Sequence, residues 1–186
     1  MNSNGQGLSR ASDVPDDPLA RFLQEITRVK DDQRLLILVS HGVLELFVNA
    51  LVDAKCKNSK RITSDSRGYP HSARLIILNE IGVISDPQFE MYDWFRKLRN
   101  RAAHDPVFEL RPEDLERLPE DHRNPARLER VCVSIVGGFW NAHIPELVGQ
   151  FMPSLAGAVA AEHPEAIALP NKRLQPTAPA KRKRCG

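Results

Sequence analysis

The sequence predicts an all-α fold, an antiparallel bundle of four to five helices, from three observations. Apolar residues recur at helical spacing in five separate stretches. No stretch shows the strict apolar–polar alternation of a strand. Prolines crowd residues 15–18 and 164–179, leaving the middle free for long regular elements. With 186 residues, 41% of them hydrophobic and 27% charged, the chain can bury one core but is short for two full domains. The expected organisation is a disordered lead over residues 1–17, a helical domain over 18–152, and an Ala/Pro-rich basic tail over 153–186 that is mostly disordered.

The first helix is expected to begin with Asp17 as N-cap and Pro18 at its first position, and to run to about Val29 on the stripe Leu19, Phe22, Leu23 and Ile26. A second, about Asp32 to Cys56, is apolar over most of its circumference. His41, Glu45, Asn49 and Asp53 repeat every four residues along it and make one polar stripe, which must face solvent or a cleft. Its apolar part is about as long as a membrane span, but Ser40, His41, Glu45 and Asn49 interrupt it, so a buried core helix is expected and no membrane. Lys57 to Pro70 reads as a polar, basic loop. His71 to Ile81 forms a third helix that Gly82 ends, and Ser85-Asp86-Pro87 starts a fourth that Pro106 stops at about His104. After a connector with a turn of helix at Pro112–Leu118, a last long helix is expected over Pro125–Phe151, with Gly137-Gly138 marking a close contact or a kink.

The formal charge of +2 hides an asymmetry. Residues 171–186 carry six cations and no acid, so the other 170 residues hold 20 basic and 24 acidic side chains. A uniformly basic, non-specific nucleic-acid surface is thereby disfavoured for the core. A local patch is present instead: Arg96, Lys97, Arg99 and Arg101 put four cations into six residues of the fourth helix. Cys56, Cys132 and Cys185 are odd in number and form no CxxC pair, which fits reduced thiols in a cytoplasmic protein rather than a disulfide or zinc framework. The opening residues have neither a basic nor an apolar region of the kind a secretory signal needs.

The pointed feature is Arg99-Asn100-Arg101-Ala102-Ala103-His104. Imidazole moves protons near neutral pH and guanidinium grips phosphate oxygens with paired donors, so this combination suits phosphodiester chemistry without metal or cofactor. Asn100 and His104 share a helix face, whereas Arg99 lies about 140° from His104 on an ideal helix. Convergence of Arg99 and His104 therefore needs a bent helix end or a second copy of the chain. On spacing alone, a solvated basic helix terminus is the commoner meaning of such a segment.

Three stretches in this order and spacing, Gln33 to Cys56, Ala73-Arg74-Leu75-Ile76-Ile77-Leu78-Asn79-Glu80-Ile81-Gly82-Val83-Ile84, and Trp94 to Asp105 with its Arg-Asn-x3-His-Asp ending, resemble the HEPN superfamily (higher eukaryotes and prokaryotes nucleotide-binding). The nearest resemblance is to the mannitol-repressor-like branch and related domains of unknown function. It implies a four- or five-helix bundle, a homodimer and, as in catalytic members, a metal-independent endoribonuclease whose Arg and His meet at the dimer cleft. Arg99, Asn100 and His104 are the matching positions; Arg96, Lys97 and Arg101 would bind RNA, and Glu45 would be a cleft helper. The alternative it carries is a non-catalytic regulatory module that binds a protein or nucleotide. A protein partner such as an antitoxin or a nucleotidyltransferase fits either form.

Lesser signals point elsewhere. His41 and Glu45 are spaced like half a metal site but lack an evident third ligand, so a polar helix face is the expected meaning and no metal is assigned. Trp94 and Phe95 could stack on bases, but beside an apolar stripe they read as core. Lys181–Arg184, at the end of a Pro/Ala tail, reads as a solvated appendage. No Gly-rich phosphate loop is present, which disfavours self-contained nucleotide transfer.

Overall fold

The computed structural model describes residues 17–152; the expected disorder of the lead and tail, and Cys185, fall outside the described residues. Seven helices and no strand are present among them: α1 (Pro18–Arg28), α2 (Gln33–Lys55), α3 (Ser59–Thr63), α4 (His71–Glu80), α5 (Asp86–His104), α6 (Leu128–Ala142) and α7 (Ile144–Phe151). Local chemistry sets most of the ends. The Asp17 carboxylate accepts from the Leu19 N–H at 3.0 Å with Pro18 following, and Asp32 does the same for Leu35 at 2.9 Å. Gly82 ends α4 with φ +73°, a left-handed conformation that costs glycine nothing, while the Leu78 carbonyl accepts from Val83 at 2.8 Å. At the start of α5 the Ser85 N–H donates to Gln88 Oε1 at 2.8 Å, and α5 stops at His104, two residues before Pro106.

α2 is the axis of the fold and packs against all six other helices. Its Leu36, Leu44, Phe47, Val48 and Leu51 are all but fully buried, as are Phe95 of α5 and Phe139 of α6. α2 is long and apolar enough to cross a membrane by composition, but 61% of its most apolar window is buried inside the protein, as in a core helix. The connector between α5 and α6 is three short 3-10 turns, at Pro112–Leu115, Glu120–His122 and Pro125–Arg127. It is pinned to α5: Trp94 Nε1 donates to the Asp114 carbonyl at 2.7 Å, and Arg101 pairs with the Asp114 carboxylate while covering the Phe108 ring. Trp94 and Phe95 are both core, as expected.

Two expectations change. The last helix is not continuous: α6 and α7 meet at 93° around His143. Pro145 has no N–H for the preceding turn and its ring crowds the carbonyl four residues back, so the helix breaks at His143 and restarts with Pro145 in the first turn of α7. Gly137 and Gly138 lie inside α6 with nothing within 4 Å of where a Cβ would sit, so neither marks a close contact or the bend. The basic loop also contains α3, which no apolar periodicity announced; Thr63 ties it to Asp53 of α2 at 3.4 Å.

Candidate functional site

The first half of the polar stripe of α2, His41 and Glu45, lines a cleft, whereas Asn49 and Asp53 accept from Arg74 and Thr63. The cleft wall is completed by the start of α4 and the far half of α5, and the cleft holds about 230 Å³ between His41, Glu45, Ser66, Pro70, His71, Ser72, Arg74, Arg96, Arg99 and Asn100. A larger depression of about 340 Å³ between α5 and α6 is lined by residues such as Met91, Tyr92, Ile135 and Phe139, with no charged side chain among them. The cleft differs from that depression in bringing imidazole, guanidinium and carboxylate groups together.

Each cation in the cleft is held differently. Arg74 is buried, donating to Asn49 Oδ1 at 2.7 Å and to the carbonyls of Ile62 and Thr63 at 3.4 Å, so its charge fastens α4 to α2 and α3. Arg96 donates twice to Asp93, at 2.9 and 2.7 Å, and Lys97 reaches the other oxygen of the same carboxylate at 2.8 Å. Burial alone would raise the Asp93 carboxyl, but hydrogen bonds from Lys97 and Arg96 and their charges hold it below its ordinary value. Arg99 donates only to a neutral group, Asn100 Oδ1 at 3.3 Å, and has no carboxylate partner among the described residues. That leaves Arg99 the cation best able to accept an anionic ligand.

Two histidines form the floor. The His41 and His71 rings meet edge to face with centroids 4.8 Å apart, and none of their four ring nitrogens has a hydrogen-bond partner among the described residues. Burial pushes His41 down to about 3, helped by the positive surroundings of His71, Arg99 and Arg96. Burial likewise pushes His71 down to about 4, with Arg74, Arg96 and Arg99 adding to it and Asp93 opposing. Both imidazoles are thus neutral near pH 7, each with one donor and one acceptor.

The residues singled out from the sequence divide into three groups. Arg96, Arg99, Asn100 and Glu45 share the cleft. Lys97 and Arg101 sit on another side of α5, beside Glu113, Asp114 and Arg117, so the cationic run is split, and Arg96, Lys97 and Arg101 are each paired with an acid. His104 is exposed at the end of α5, where Arg34 donates to the Ala103 carbonyl at 3.5 Å, and it does not line the cleft within one chain. His71 and Arg74 had not been marked as site residues. Their signal was an i, i+3 polar pair at the start of an otherwise apolar helix. Among the described residues no group of three or more His, Cys, Asp or Glu side chains is placed to hold a metal ion.

Comparisons of the chain with protein-family models, with curated proteins and with solved structures return no match.

Proposed function

We propose that this protein is a HEPN-like helical domain that engages RNA phosphates at Arg99 and cleaves the phosphodiester as a metal-independent endoribonuclease. The observation that carries the reading is Arg99 itself: a guanidinium without a carboxylate partner among the described residues, beside Asn100, in a cationic cleft of a domain whose acidic and basic side chains otherwise balance closely. In this reading His104 takes the 2′-hydroxyl proton, O2′ attacks phosphorus, and the P–O5′ bond breaks. Arg99 neutralises the charge that builds on the phosphorane oxygens, and the imidazolium or water returns a proton to the departing 5′-oxygen. Because His104 stands outside the cleft of its own chain, the reading requires an antiparallel bundle that pairs as a homodimer and brings the two groups together. A cytoplasmic setting and a protein partner such as an antitoxin or nucleotidyltransferase belong to the same reading.

One observation favours a second reading. The exposed His104, apart from Arg99, suits a non-catalytic regulatory module, resembling mannitol-repressor-like proteins, that binds RNA, nucleotide or protein at the cleft. Incubating single-stranded RNA with the protein in EDTA separates the two. The enzyme reading expects cleavage with 2′,3′-cyclic phosphate ends, lowered roughly a hundredfold or more in both Arg99→Ala and His104→Ala. Wild-type turnover equal to that of His104→Ala would remove the catalytic assignment.

A further inference from the structure

Contact between Arg99 and an RNA phosphate does not by itself call for the rest of the cleft. His41 is 2% exposed and Arg74 4% exposed, both line the cleft, and both ring nitrogens of His41 and Nε of Arg74 have no partner among the described residues. Buried donors are nearly always satisfied, so unsatisfied ones in the wall of an open cleft mark a place for a ligand. The ten-residue helix α4 also begins there: Pro70, His71 and Ser72 line the cleft, and Pro70 as N-cap has no side chain to accept from the first turn. The positive end of that helix therefore points its unused N–H groups toward the same space as Arg99.

We infer that the cleft is a binding site for a terminal phosphate monoester, its oxygens held by Arg99 and the N-terminus of α4, with His41 and His71 as donors in the floor. Charge favours a monoester over an internal diester linkage. A monoester carries a charge of about −1.5 to −2 at neutral pH against −1 for a diester, and with Arg96 paired to Asp93 the cleft still sets Arg74, Arg99 and a helix N-terminus against the carboxylate Glu45. Its volume of about 230 Å³ lies below the roughly 300–1,000 Å³ of pockets that enclose whole small molecules. That volume matches a terminal phosphate and part of its sugar, with the rest of the ligand lying outside the cleft. The inference rests on the reading of Arg99 as a phosphate ligand and is independent of any cleavage by His104. A bound monoester would compete with RNA for Arg99.

The shared chemistry has two sources, a 5′-phosphorylated RNA end and a free nucleotide. Calorimetric titration of the full chain in EDTA tests both, using a 2′-O-methyl oligoribonucleotide that cannot be cleaved, with a 5′-phosphate or a 5′-hydroxyl, and adenosine 5′-monophosphate beside adenosine. The phosphorylated member of at least one pair should bind roughly tenfold tighter or more than its twin. A preference in the oligonucleotide pair alone assigns the site to RNA ends, and one in the nucleotide pair alone assigns it to free nucleotides. Arg99→Gln and His71→Gln should each abolish the preference without lowering the melting temperature of the free protein by more than a few degrees. Equal binding within both pairs overturns the inference, as does a preference that survives Arg99→Gln. Because the oligonucleotide has no 2′-hydroxyl, loss of this preference and absence of cleavage are separate results.

Discussion

The two sides of α2 solve opposite problems. Phe47, six residues beyond His41 and about 120° round an ideal helix, is fully buried. It meets the rings of Phe22, Trp140, Phe139 and Phe151 at centroid distances of 5.4 to 5.8 Å. The three distant segments it joins, α1, α6 and α7, are held there by dispersion and apolar burial of aromatic rings. On the other side, His41 is just as buried, yet its ring nitrogens have no partner among the described residues, and burial, with His71, Arg99 and Arg96 adding to it, depresses its proton affinity. One face stabilises the fold; the other gives up stability to hold charged and polar groups around a cleft. Such local violations of satisfied burial concentrate at functional sites.

The largest effect should come from the aromatic side. Phe47→Ala removes the ring shared by α1, α6 and α7 and should destabilise by roughly 3–5 kcal/mol in urea unfolding. A loss below about 1 kcal/mol would show that the cluster is not the anchor of the fold. On the cleft side, acid should be the sharpest probe. His41 and His71 are held near 3 and 4, so between those values and their ordinary 6.5 the unfolded chain binds more protons than the folded one. Their contribution is complete above pH 6.5 and is lost as pH falls through that window, by up to about 1.4 kcal/mol per pH unit for each imidazole. Urea midpoints at pH 7.5 and 5 should therefore separate, and His41→Phe should shrink the separation. At pH 7.5 the same substitution should be neutral or stabilising by about 1 kcal/mol, because it removes unsatisfied buried nitrogens. A strong destabilisation there would mean that His41 is already satisfied in solution and would erase the contrast between the faces. The smallest effect belongs to neither face: Gly137→Ala fills open space inside α6 and should stabilise by about 0.5–1 kcal/mol.

How much of this was legible in the sequence follows the range of the interactions. Asp17-Pro18, Gly82, Ser85 and Pro106 act within a few residues of themselves, and the ends they predicted for α1, α4 and α5 are the ends observed. The polar stripe on α2 was equally local, although whether it met solvent or a cleft depended on α4 and α5. The break at His143 was in principle readable from Pro145, but the apolar spacing on both sides of it remained helical and masked a 93° turn. The site was legible in part. Arg99 and Asn100 carried a motif, whereas His71 and Arg74 gain their meaning only when α4 docks on α2 through the Arg74–Asn49 hydrogen bond. The division of the cationic run between the cleft and the Asp114 side likewise comes from the connector folding back onto α5.

In the proposed function, binding is concentrated at the cleft rather than spread over the basic run of α5. Lys97 and Arg99 carry the same charge two residues apart, but Lys97 has a side chain 63% exposed and paired with Asp93, while Arg99 lines the cleft with only Asn100 as partner. The direct test is the affinity of a single-stranded RNA that cannot be cleaved for the Lys97→Ala and Arg99→Ala proteins at physiological salt. Arg99→Ala should weaken binding by roughly tenfold or more and Lys97→Ala by no more than about twofold. Equal losses from the two substitutions would contradict the account, since they would show diffuse attraction along the helix and no site at the cleft.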